Sequence, residues 1–422
     1  MTVWLPSKEA GHDGRRFEPF YGARTMTDST GTPAKPLPRN VRLLGWASFL
    51  NDVASEMIFP LLPKFLLTAL SGSMFFLGVI EGIADSVASL LKLWSGGWSD
   101  RVGVRKGFVV LGYGLAALTR PLTGLIWAPW QLLVVRNVDR AGKGIRTSPR
   151  DALIADSVEP EDRGRAFGFN RAMDHLGAAV GPLVAAAFLW WRPYDLRTLF
   201  VLTLVPGVLV VVLLLCGLRE MKVRTPAAVR HTWTLAPFGG GFRLYLVALV
   251  VFTLGNSSDA FLLVRAGELG VPTLELPLLW CAFHLAKSSG NALAGRAVNR
   301  LGPRAMILAG WLLYAAVYLL FALATSAWHA WALFLGYAVF YAMTEPAEKT
   351  LVANLVGPEH RGLAYGWFNF AVGIATLPAS VMFGALYHYF GVLTAFGTGA
   401  GLALAAAVLL LAVRQPIQTT NE

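Results

Sequence analysis

The sequence predicts an all-α integral membrane protein, with twelve transmembrane helices in two pseudo-symmetric six-helix bundles. The 422-residue chain is 55% hydrophobic and only 14% charged, whereas a soluble globular chain holds about 45–50% apolar and about 25% charged residues. Apolar segments of about 20 residues, the length that crosses a bilayer, follow one another along the chain. Two sequence motifs also recur in the second half, which indicates that the halves share one architecture.

The composition also excludes several classes of protein. A mean hydropathy of +0.54 is incompatible with a disordered chain, a disulfide scaffold or an ordinary soluble enzyme. The net charge of +11 is explained more simply by basic cytoplasmic loops than by nucleic acid, which we do not expect as a partner. Cys216 and Cys281 each lie in an apolar stretch and form no CxxC or similar spacing. We therefore expect neither a metal nor a cofactor.

Twelve segments are long and apolar enough to be predicted as membrane spans. The sixth and the twelfth contain no charged residue, whereas the fourth contains Arg136, Asp139, Arg140 and Lys143. We retain the fourth because the spacing of its neighbours requires a crossing at this point. The predicted spans are residues 43–69, 75–97, 107–127, 130–152, 165–189, 198–217, 244–264, 274–294, 304–325, 330–352, 363–387 and 391–413.

These spans divide the chain into two bundles and three polar segments. Residues 41–218 are predicted to form the N-terminal six-helix bundle, and residues 243–414 the C-terminal one. Residues 219–242 are predicted to be a cytoplasmic linker between them. Residues 1–40 are polar and lack both periodicity and the apolar region of a signal peptide, so they are predicted to be a disordered cytoplasmic tail. Residues 415–422 are predicted to be a second cytoplasmic tail.

The distribution of basic residues predicts the orientation in the membrane. With the N-terminus inside, the inner segments hold 21 Lys and Arg residues and the outer loops hold three. Cytoplasmic loops of membrane proteins carry such an excess of positive charge. Tryptophans cluster at the predicted outer ends, as in the aromatic belt at a membrane interface. We therefore expect both termini in the cytoplasm.

Two motifs relate the halves of the chain. A motif of the form Gly-x3-Asp/Asn-Arg-x-Gly-x-Arg begins at Gly96 after the second span and at Gly295 after the eighth, 199 residues later. A Pro-Glu-x-Arg-Gly motif begins at Pro160 after the fourth span and at Pro358 after the tenth, 198 residues later. Internal repeats of this kind are typical of secondary transporters, whose binding sites lie near the midplane between the repeats.

The first of these motifs resembles the loop between helices two and three that is typical of the major facilitator superfamily. The resemblance extends along the chain from Arg42 to Arg414, and this version of the loop has one additional residue, Val104. In that family the loop is a cytoplasmic latch, so the resemblance implies the same role here. The latch residues would be Gly96, Asp100, Arg101, Gly103, Arg105 and Lys106.

The resemblance also implies which contacts the latch makes. Asp100 would face the start of helix eleven near Gly362, where the helix dipole favours an anion. The basic residues would pair with an acid at the end of helix four. In this sequence, Arg101 or Arg105 would reach Asp151 or Asp156.

Helices four and five carry further resemblances to the superfamily. Helix five has Gly168, Gly177, Gly181 and Pro182 at the spacing of its antiporter motif, which implies export. Small residues let membrane helices approach closely, and proline bends a helix. Where that motif ends in two glycines, this sequence has Ala185 and Ala186. The run 136–152 resembles a prokaryotic branch known largely as transporters of unassigned substrate, so it implies transport and no particular substrate.

Ionisable residues at bilayer depth are costly, so each one is a candidate for function. Asp52 and Glu56 in helix one, like Glu81 and Asp85 in helix two, are spaced i, i+4 and share a helix face. A proton-coupled carrier needs a carboxylate whose hold on a proton changes with its surroundings, and helix one lines the central cavity in the superfamily. The alternative is a static ion-pair network that only fixes packing. The candidates for coupling or substrate binding are Asp52, Glu56, Glu81, Asp85, Arg136, Asp139, Arg140, Arg171 and Asp174.

Together these features predict a secondary active transporter that moves a small organic solute across a bacterial inner membrane by alternating access, with proton-coupled export. Import of an organic anion is the alternative, since Arg136, Arg140, Lys143 and Arg171 form a basic stripe. A membrane-embedded enzyme or receptor is a hypothesis of another class, but the HExxH and GxSxG motifs are absent, and we expect no enzyme. The expected partners are the solute, protons and the lipid bilayer, and the expected state is a monomer.

Overall fold

The computed structural model describes residues 36–159, 162–221, 234–356 and 360–413, and within these ranges the chain is helical, without a β-strand. Residues 1–35 of the predicted N-terminal tail, half of the predicted linker (222–233) and the predicted C-terminal tail lie outside the described residues. The helices that begin at Arg39 and Gly240 take in the last residues of the predicted tail and of the predicted linker. The longer α-helices, labelled in chain order, are α1 (Arg39–Ile58), α2 (Met74–Val102), α3 (Lys106–Leu122), α4 (Pro129–Asp156), α5 (Arg163–Trp191), α6 (Leu196–Leu202), α7 (Leu204–Gly217), α8 (Gly240–Gly255), α9 (Asp259–Glu268), α10 (Glu275–Leu301), α11 (Pro303–Leu323), α12 (Ala327–Leu355) and α13 (Arg361–Ala412).

Prolines and a glycine interrupt two of the predicted spans. The first span continues beyond α1 in 3₁₀, α and π turns from Phe59 to Ala69. It leaves the regular α form because Pro60 and Pro63 lack the N–H group that an α-helix requires. Within α13, Gly391 has a φ of 83°, a conformation that glycine adopts without strain. This residue divides α13 into two helices.

Among the described residues, seven helical segments are long and apolar enough to cross a membrane. One of them, Gly240–Glu268, contains both α8 and α9, and another, Leu363–Ala412, contains nearly all of α13. The helices α1, α4, α10 and α12 do not meet this criterion. Charged residues lie within α1, α4 and α10, whereas the first 18 residues of α12 are uncharged but rich in tryptophan and tyrosine. Each of these helices lines the cavity described below. Their polar residues therefore have an environment other than lipid.

The helices of the two halves pack in the same pattern. In the first half, α1 packs against α5, α2 against α4, and α3 against α4 and α7. In the second half, α8 packs against α13, α10 against α12, and α11 against α12 and α13. The crossing of α3 and α4 is close because Gly112 and Gly142 face each other, and a Cβ on either would collide with the backbone of the other. This packing agrees with the sequence repeat.

The interiors of the halves differ in chemistry. In the second half, the fully buried rings of Trp311, Tyr314 and Tyr318 on α11 meet rings from α8 and α12. Trp311 stacks on Phe252 of α8 at a centroid distance of 4.6 Å. In the first half, buried charged side chains lie between α2, α3 and α4. Among the described residues, the most deeply buried ion pairs thus lie in the first half and the largest cluster of buried aromatic rings lies in the second.

The two halves are in contact at two helix–helix interfaces, one between α2 and α13 and the other between α5 and α10. At the first interface, a Cβ at Gly78 would collide with the backbone of Ser380. Ser86 Oγ donates a hydrogen bond to the carbonyl of Gly373 at 3.0 Å. Between these two contacts, Glu81 and Asp85 of α2 line the cavity.

Candidate functional site

A cavity of about 790 Å³ lies between the two halves. Its wall is formed by α1, α2 and α4 of the first half and by α8, α9, α10, α12 and α13 of the second. The lining residues of α2 begin at Glu81 and those of α4 begin at Arg140, and both sets continue toward the ends of these helices. The cavity therefore extends from mid-helix toward the end of the bundle where α2 and α4 end.

Buried ion pairs join α2, α3 and α4. Arg136 donates two hydrogen bonds to Glu81, from Nε to Oε1 at 2.9 Å and from Nη2 to Oε2 at 3.0 Å. Asp139 accepts from Arg120 Nε at 2.9 Å and lies 3.8 Å from Arg136 Nη1. These charged side chains are at most 8% exposed. Each has an opposite charge beside it, which a buried charge requires if it is not to be strongly destabilising.

Arg120 is absent from the residues predicted from the sequence, although it connects this network to α1. Its Nη1 donates to the backbone carbonyl of Asn51 at 2.7 Å and to the Asn51 side chain at 3.0 Å. Asn51 in turn donates to Asp52 at 2.8 Å. The available signal was an arginine inside the third predicted span, directly before Pro121. Asn51, an amide inside the first span, was a second signal.

Asp52 and Glu56 lie where α1 packs against α5, and glycines of α5 make this packing close. A Cβ at Gly177 would come within 2.9 Å of Asp52 Cβ, and one at Gly181 within 3.0 Å of Glu56 Cβ. Glu56 lines the cavity and accepts a hydrogen bond at 2.7 Å from Trp280 Nε1 of α10, in the other half. Neither carboxylate forms an ion pair with a residue that the structure describes.

Asp85 and Arg140 form a looser pair in the cavity wall. Arg140 Nε lies 3.9 Å from Asp85 Oδ1, and the Asp85 side chain is 41% exposed. Lys92 of α2 and Lys143 of α4 also line the cavity. The charged residues of α4 therefore divide into a buried pair-forming set and a set that faces the cavity.

Asp174 and Arg171 belong to a separate cluster. Arg150 Nη1 lies 3.8 Å from Asp174 and donates to Ser48 Oγ at 3.1 Å. Arg171 lies 3.9 Å from Asp174, but its side chain is 69% exposed. Neither Arg171 nor Asp174 lines the cavity. Of the predicted basic stripe, Arg140 and Lys143 line the cavity, and Arg136 and Arg171 do not.

The contacts that the structure describes for the predicted latch lie at the start of α3. Arg105 pairs with Asp156, one of the two carboxylates that the resemblance implies. The backbone N–H groups of Arg105 and Lys106 donate to the Glu220 carboxylate at 3.0 Å and 2.8 Å. An anion at a helix start is favoured by the helix dipole. Glu220, just beyond the end of α7, therefore caps α3, a role that the sequence did not indicate.

The rest of the latch is described in part. Gly103 ends α2 with a φ of 69°, a left-handed conformation common after helices. A Cβ at Gly96 would come within 3.2 Å of Ser148 Cβ, so this glycine lets α2 approach α4. Arg101 is exposed. The side chain of Asp100 lies outside those that the structure describes, so its contact at the start of helix eleven stays a prediction.

The antiporter-like residues of α5 are not equivalent. Gly177 and Gly181 make the close contacts with α1 given above, whereas no atom lies within 4 Å of a Cβ at Gly168. Pro182 lies inside α5. The motif thus acts in the described structure through the two glycines that face Asp52 and Glu56.

Three comparisons with known proteins bear on this architecture. The sequence model of the Major Facilitator Superfamily matches residues 44–279 and 244–422. An uncharacterized MFS-type transporter of Methanocaldococcus jannaschii is 31% identical over 383 residues, which are 89% of this chain and 95% of the relative. The multidrug resistance protein MdtH of Salmonella arizonae is 23% identical over 323 residues, 75% of this chain and 78% of that protein.

A solved structure has the same fold. It is the crystal structure of a bacterial homolog of the human lysosomal transporter Spinster, in an inward-facing and occupied conformation. The two chains align with a TM-score of 0.70 at 18% identity, over 90% of this chain and 96% of the other. At that identity the likeness concerns the fold alone.

Proposed function

The chain belongs to the Major Facilitator Superfamily, and we propose that it is a secondary active transporter that exports a small organic solute by alternating access, driven by a proton gradient. Its family and fold are those of membrane transporters rather than enzymes. The cavity between the halves carries the proposal, because side chains of both halves form its wall. Rocking of one half against the other would expose a solute held there to each side of the membrane in turn.

The proposal includes twelve membrane crossings in two six-helix bundles. The seven apolar segments account for eight crossings, because Gly391 divides one of them. The helices α1, α4, α10 and α12 supply the others, with their polar residues in the cavity wall. The bundles then correspond to residues 41–218 and 243–414, with the linker 219–242 between them. We place the protein, as a monomer, in a bacterial inner membrane with both termini in the cytoplasm.

Proton coupling is assigned to the carboxylates of α1. Glu56 lines the cavity, has no ion-pair partner among the described residues, and is bound from the other half by Trp280. Movement of α1 away from α10 would replace this hydrogen bond by water, and such a change alters how tightly a carboxylate holds a proton. Asp52 lies one helical turn away on the same face. Glu81 has both oxygens bound by Arg136, which favours a structural role.

Export is placed before import for two reasons. The glycines of α5 that resemble an antiporter motif pack directly on the α1 carboxylates, and MdtH, a similar protein, is named as a multidrug resistance protein. Import of an organic anion is supported by Lys92, Arg140 and Lys143 in the cavity wall. Arg140 already has Asp85 beside it, however, and the second half adds carboxylates to the same wall. These are Asp259, Glu345 and Glu348.

Flux into proteoliposomes with an imposed pH gradient tests the function. A susceptibility screen of a deletion strain supplies the solutes, and protein-free liposomes are the control for passive entry. An antiporter accumulates its solute in the compartment with more protons, whereas a symporter accumulates it in the compartment with fewer. We expect the first result, and we expect an uncoupler to abolish it. Accumulation in the alkaline compartment would support the importer, and flux independent of the gradient would contradict proton coupling.

A further inference from the structure

Asp259 of the second half occupies a break between helices. It is the first residue of α9, directly after residues 256–258, where the helix that begins with α8 is interrupted. Asn256, Ser257, Ser258 and Asp259 all line the cavity. Irregular backbone at membrane depth is tolerated where it lines a cavity, and such breaks expose polar groups that a regular helix would satisfy.

Two tyrosines of α12 bind one oxygen of this carboxylate. Tyr337 Oη donates to Asp259 Oδ1 at 2.7 Å, and Tyr341 Oη donates to the same oxygen at 3.4 Å. Tyr337 is fully buried, and its ring stacks on Phe283 of α10 at a centroid distance of 5.7 Å. The carboxylate therefore has a fixed orientation. Its other oxygen, Oδ2, receives no hydrogen bond from any described residue.

No cation of the described part of the chain forms an ion pair with Asp259, and the basic side chain that acts on it from a longer distance is Lys287. Lys287 of α10, a cation of the same half, is engaged with Glu345 at 2.6 Å. By contrast, the carboxylates of α2 in the same wall pair with arginines of α4. Asn256 Oδ1, also in this wall, is a buried acceptor without a hydrogen-bond partner. The break thus offers one carboxylate oxygen without a hydrogen bond or ion pair and one unused amide acceptor, which suit a cation that carries N–H groups.

Aromatic rings surround the same cavity. Their faces attract cations and their area binds apolar groups. Lys287 Nζ lies 4.0 Å from the centre of the Tyr341 ring, so a ring of this wall already holds a cation of the protein. The aromatic residues of the wall are Phe59, Phe252, Trp280, Phe340, Tyr341 and Phe368.

We propose that the break between α8 and α9 is the recognition site for a lipophilic ammonium ion. The Asp259 carboxylate and Asn256 Oδ1 accept hydrogen bonds from the charged head group, and the aromatic wall binds the apolar body. This site would define the substrate class of the proposed exporter, so the inference rests on the proposed function. It separates the roles of the halves, because solute charge is recognised in the second half while proton coupling remains with α1 in the first.

Equilibrium binding of matched ligands to the purified full-length protein tests the site. The probes are 2-phenylethylammonium and 2-(1-naphthyl)ethylammonium, their neutral alcohol isosteres, and the anion 3-phenylpropionate, measured by calorimetry at neutral pH without any gradient. We expect the ammonium ions to bind about tenfold or more tightly than the alcohols, as for a charge-assisted hydrogen bond, and the anion to bind most weakly. Equal binding of the three head groups, or no binding of either ammonium ion, would overturn the proposal.

Variants locate the site. Asp259→Asn keeps the shape and removes the charge, so it should abolish the preference for ammonium over alcohol. Tyr337→Phe keeps the ring and removes the donor that orients Asp259, so it should reduce that preference severalfold. Asp162→Asn is the matched control, because it is the same substitution at an exposed position that does not line the cavity, and it should leave the preference unchanged. An equal loss in Asp162→Asn and Asp259→Asn would show attraction by total charge alone and overturn the site.

Further outcomes separate this site from its rivals. Should Asp259→Asn fail to fold, Asp259→Glu displaces the same charge by one methylene and should weaken ammonium binding severalfold without affecting the alcohols. Displacement of the probes by an equal concentration of sodium would indicate an inorganic-cation site and overturn the proposal. Ammonium ions that bind at Asp259 but are not moved by a pH gradient would refute the proposed function and leave the site standing. If a pH gradient drives flux of a solute, and the Asp259→Asn variant binds that solute as tightly as the wild type does, the proposed site would be refuted and the proposed function would stand.

Discussion

The carboxylates of the first half differ in whether a cation binds them, and this difference predicts how each responds to removal of its charge. Glu56 and Asp52 have no ion-pair partner among the described residues, so Glu56→Gln and Asp52→Asn break no ion pair that the structure describes. We expect each variant to melt close to the wild-type temperature and to bind substrate. The residue that carries the proton should lose gradient-driven flux and keep substrate–substrate exchange, which moves no net proton. A stable variant with intact driven flux removes its residue from the mechanism.

We expect the opposite response when the charge of Glu81 is removed. Its side chain is 1% exposed and both of its oxygens accept from Arg136. Glu81→Gln removes the carboxylate that binds the guanidinium and leaves Asp139, 3.8 Å away, as its remaining carboxylate neighbour. A buried charge left without any partner costs about 3–5 kcal/mol, and this variant should lose part of that. We expect a lowered melting temperature, with driven flux and exchange reduced together.

The matched control for Glu81 is Arg171→Gln, because the Arg171 side chain is 69% exposed. Substitutions at the surface change stability by about 0.5 kcal/mol or less. Thermal melting of the two purified variants in one detergent compares them directly. Equal melting temperatures would show that the pair with Arg136 is not structural.

The sequence predicted which residues at bilayer depth are charged, because a charge in an apolar run is visible directly. The partner of each charged residue was not predictable, since ion pairs depend on how each helix is rotated about its axis. Arg140 lines the cavity while Arg136, one helical turn earlier, is buried against Glu81. Arg120 shows the same limit, because its partner Asp139 lies on the next helix and nothing in the local sequence joins them.

At the scale of the helices, α1 and α5 cross closely because of two glycines of α5. We therefore expect substitution of these glycines to be destabilising. Gly177→Ala and Gly181→Ala would each place a methyl group against the α1 backbone, and overpacking of this kind costs about 1–3 kcal/mol. We expect both to lower the melting temperature and the rate of transport. Gly168→Ala is the control on the same helix, with no atom within 4 Å of the added group. If Gly168→Ala is equally damaging, close packing is not the reason.

The loop between α2 and α3 gives a prediction that rests on the family resemblance. Asp100→Asn removes the anion expected at the start of helix eleven. We expect the variant to fold in the membrane, to shift the balance between inward-open and outward-open forms, and to transport more slowly. Cysteine accessibility on each side of the cavity measures the balance. Asp162→Asn, at an exposed position between α4 and α5, is the control. Full transport by Asp100→Asn would reduce the loop to a topology signal.

Helix α4 shows how a proposed crossing can lie outside the apolar segments. Its charges keep it out of those segments, and the sequence predicted a crossing there only from the spacing of its neighbours and the repeat. The structure shows how its buried charges are accommodated. Gly142 and Gly144 bring the backbones of α3 and α2 against α4, which lets Arg136 and Asp139 find partners within the bundle. No pattern along one segment reveals partners on two others.

In the molecule as a whole, the repeat that the motifs predicted recurs in the packing of the helices, but the two halves carry different chemistry. The sequence showed that charges concentrate in the first half. It did not show that Asp259 of the second half meets two tyrosines in an aromatic wall. That arrangement depends on a break between α8 and α9 and on the position of α12, which are separated by about 70 residues of chain. The repeat fixes where a site can form, and the residues that differ between the repeats decide what it binds.

The number of crossings is the premise for alternating access here, and the location of three tags tests it. An even number of spans in each half places the linker and the C-terminus on the same side as the N-terminus. We expect reporter tags at Thr225 and after Glu422 to report the cytoplasm, as the excess of 21 basic residues over three on the opposite side requires. A tag after Trp191 should report the outside, because an odd number of crossings precedes it. If the tag at Thr225 reports the outside, one helix of the first half does not cross, and α4, with its charges, would be the first to be doubted. The two bundles would then not be equivalent, and alternating access by rocking of one bundle against the other would be refuted.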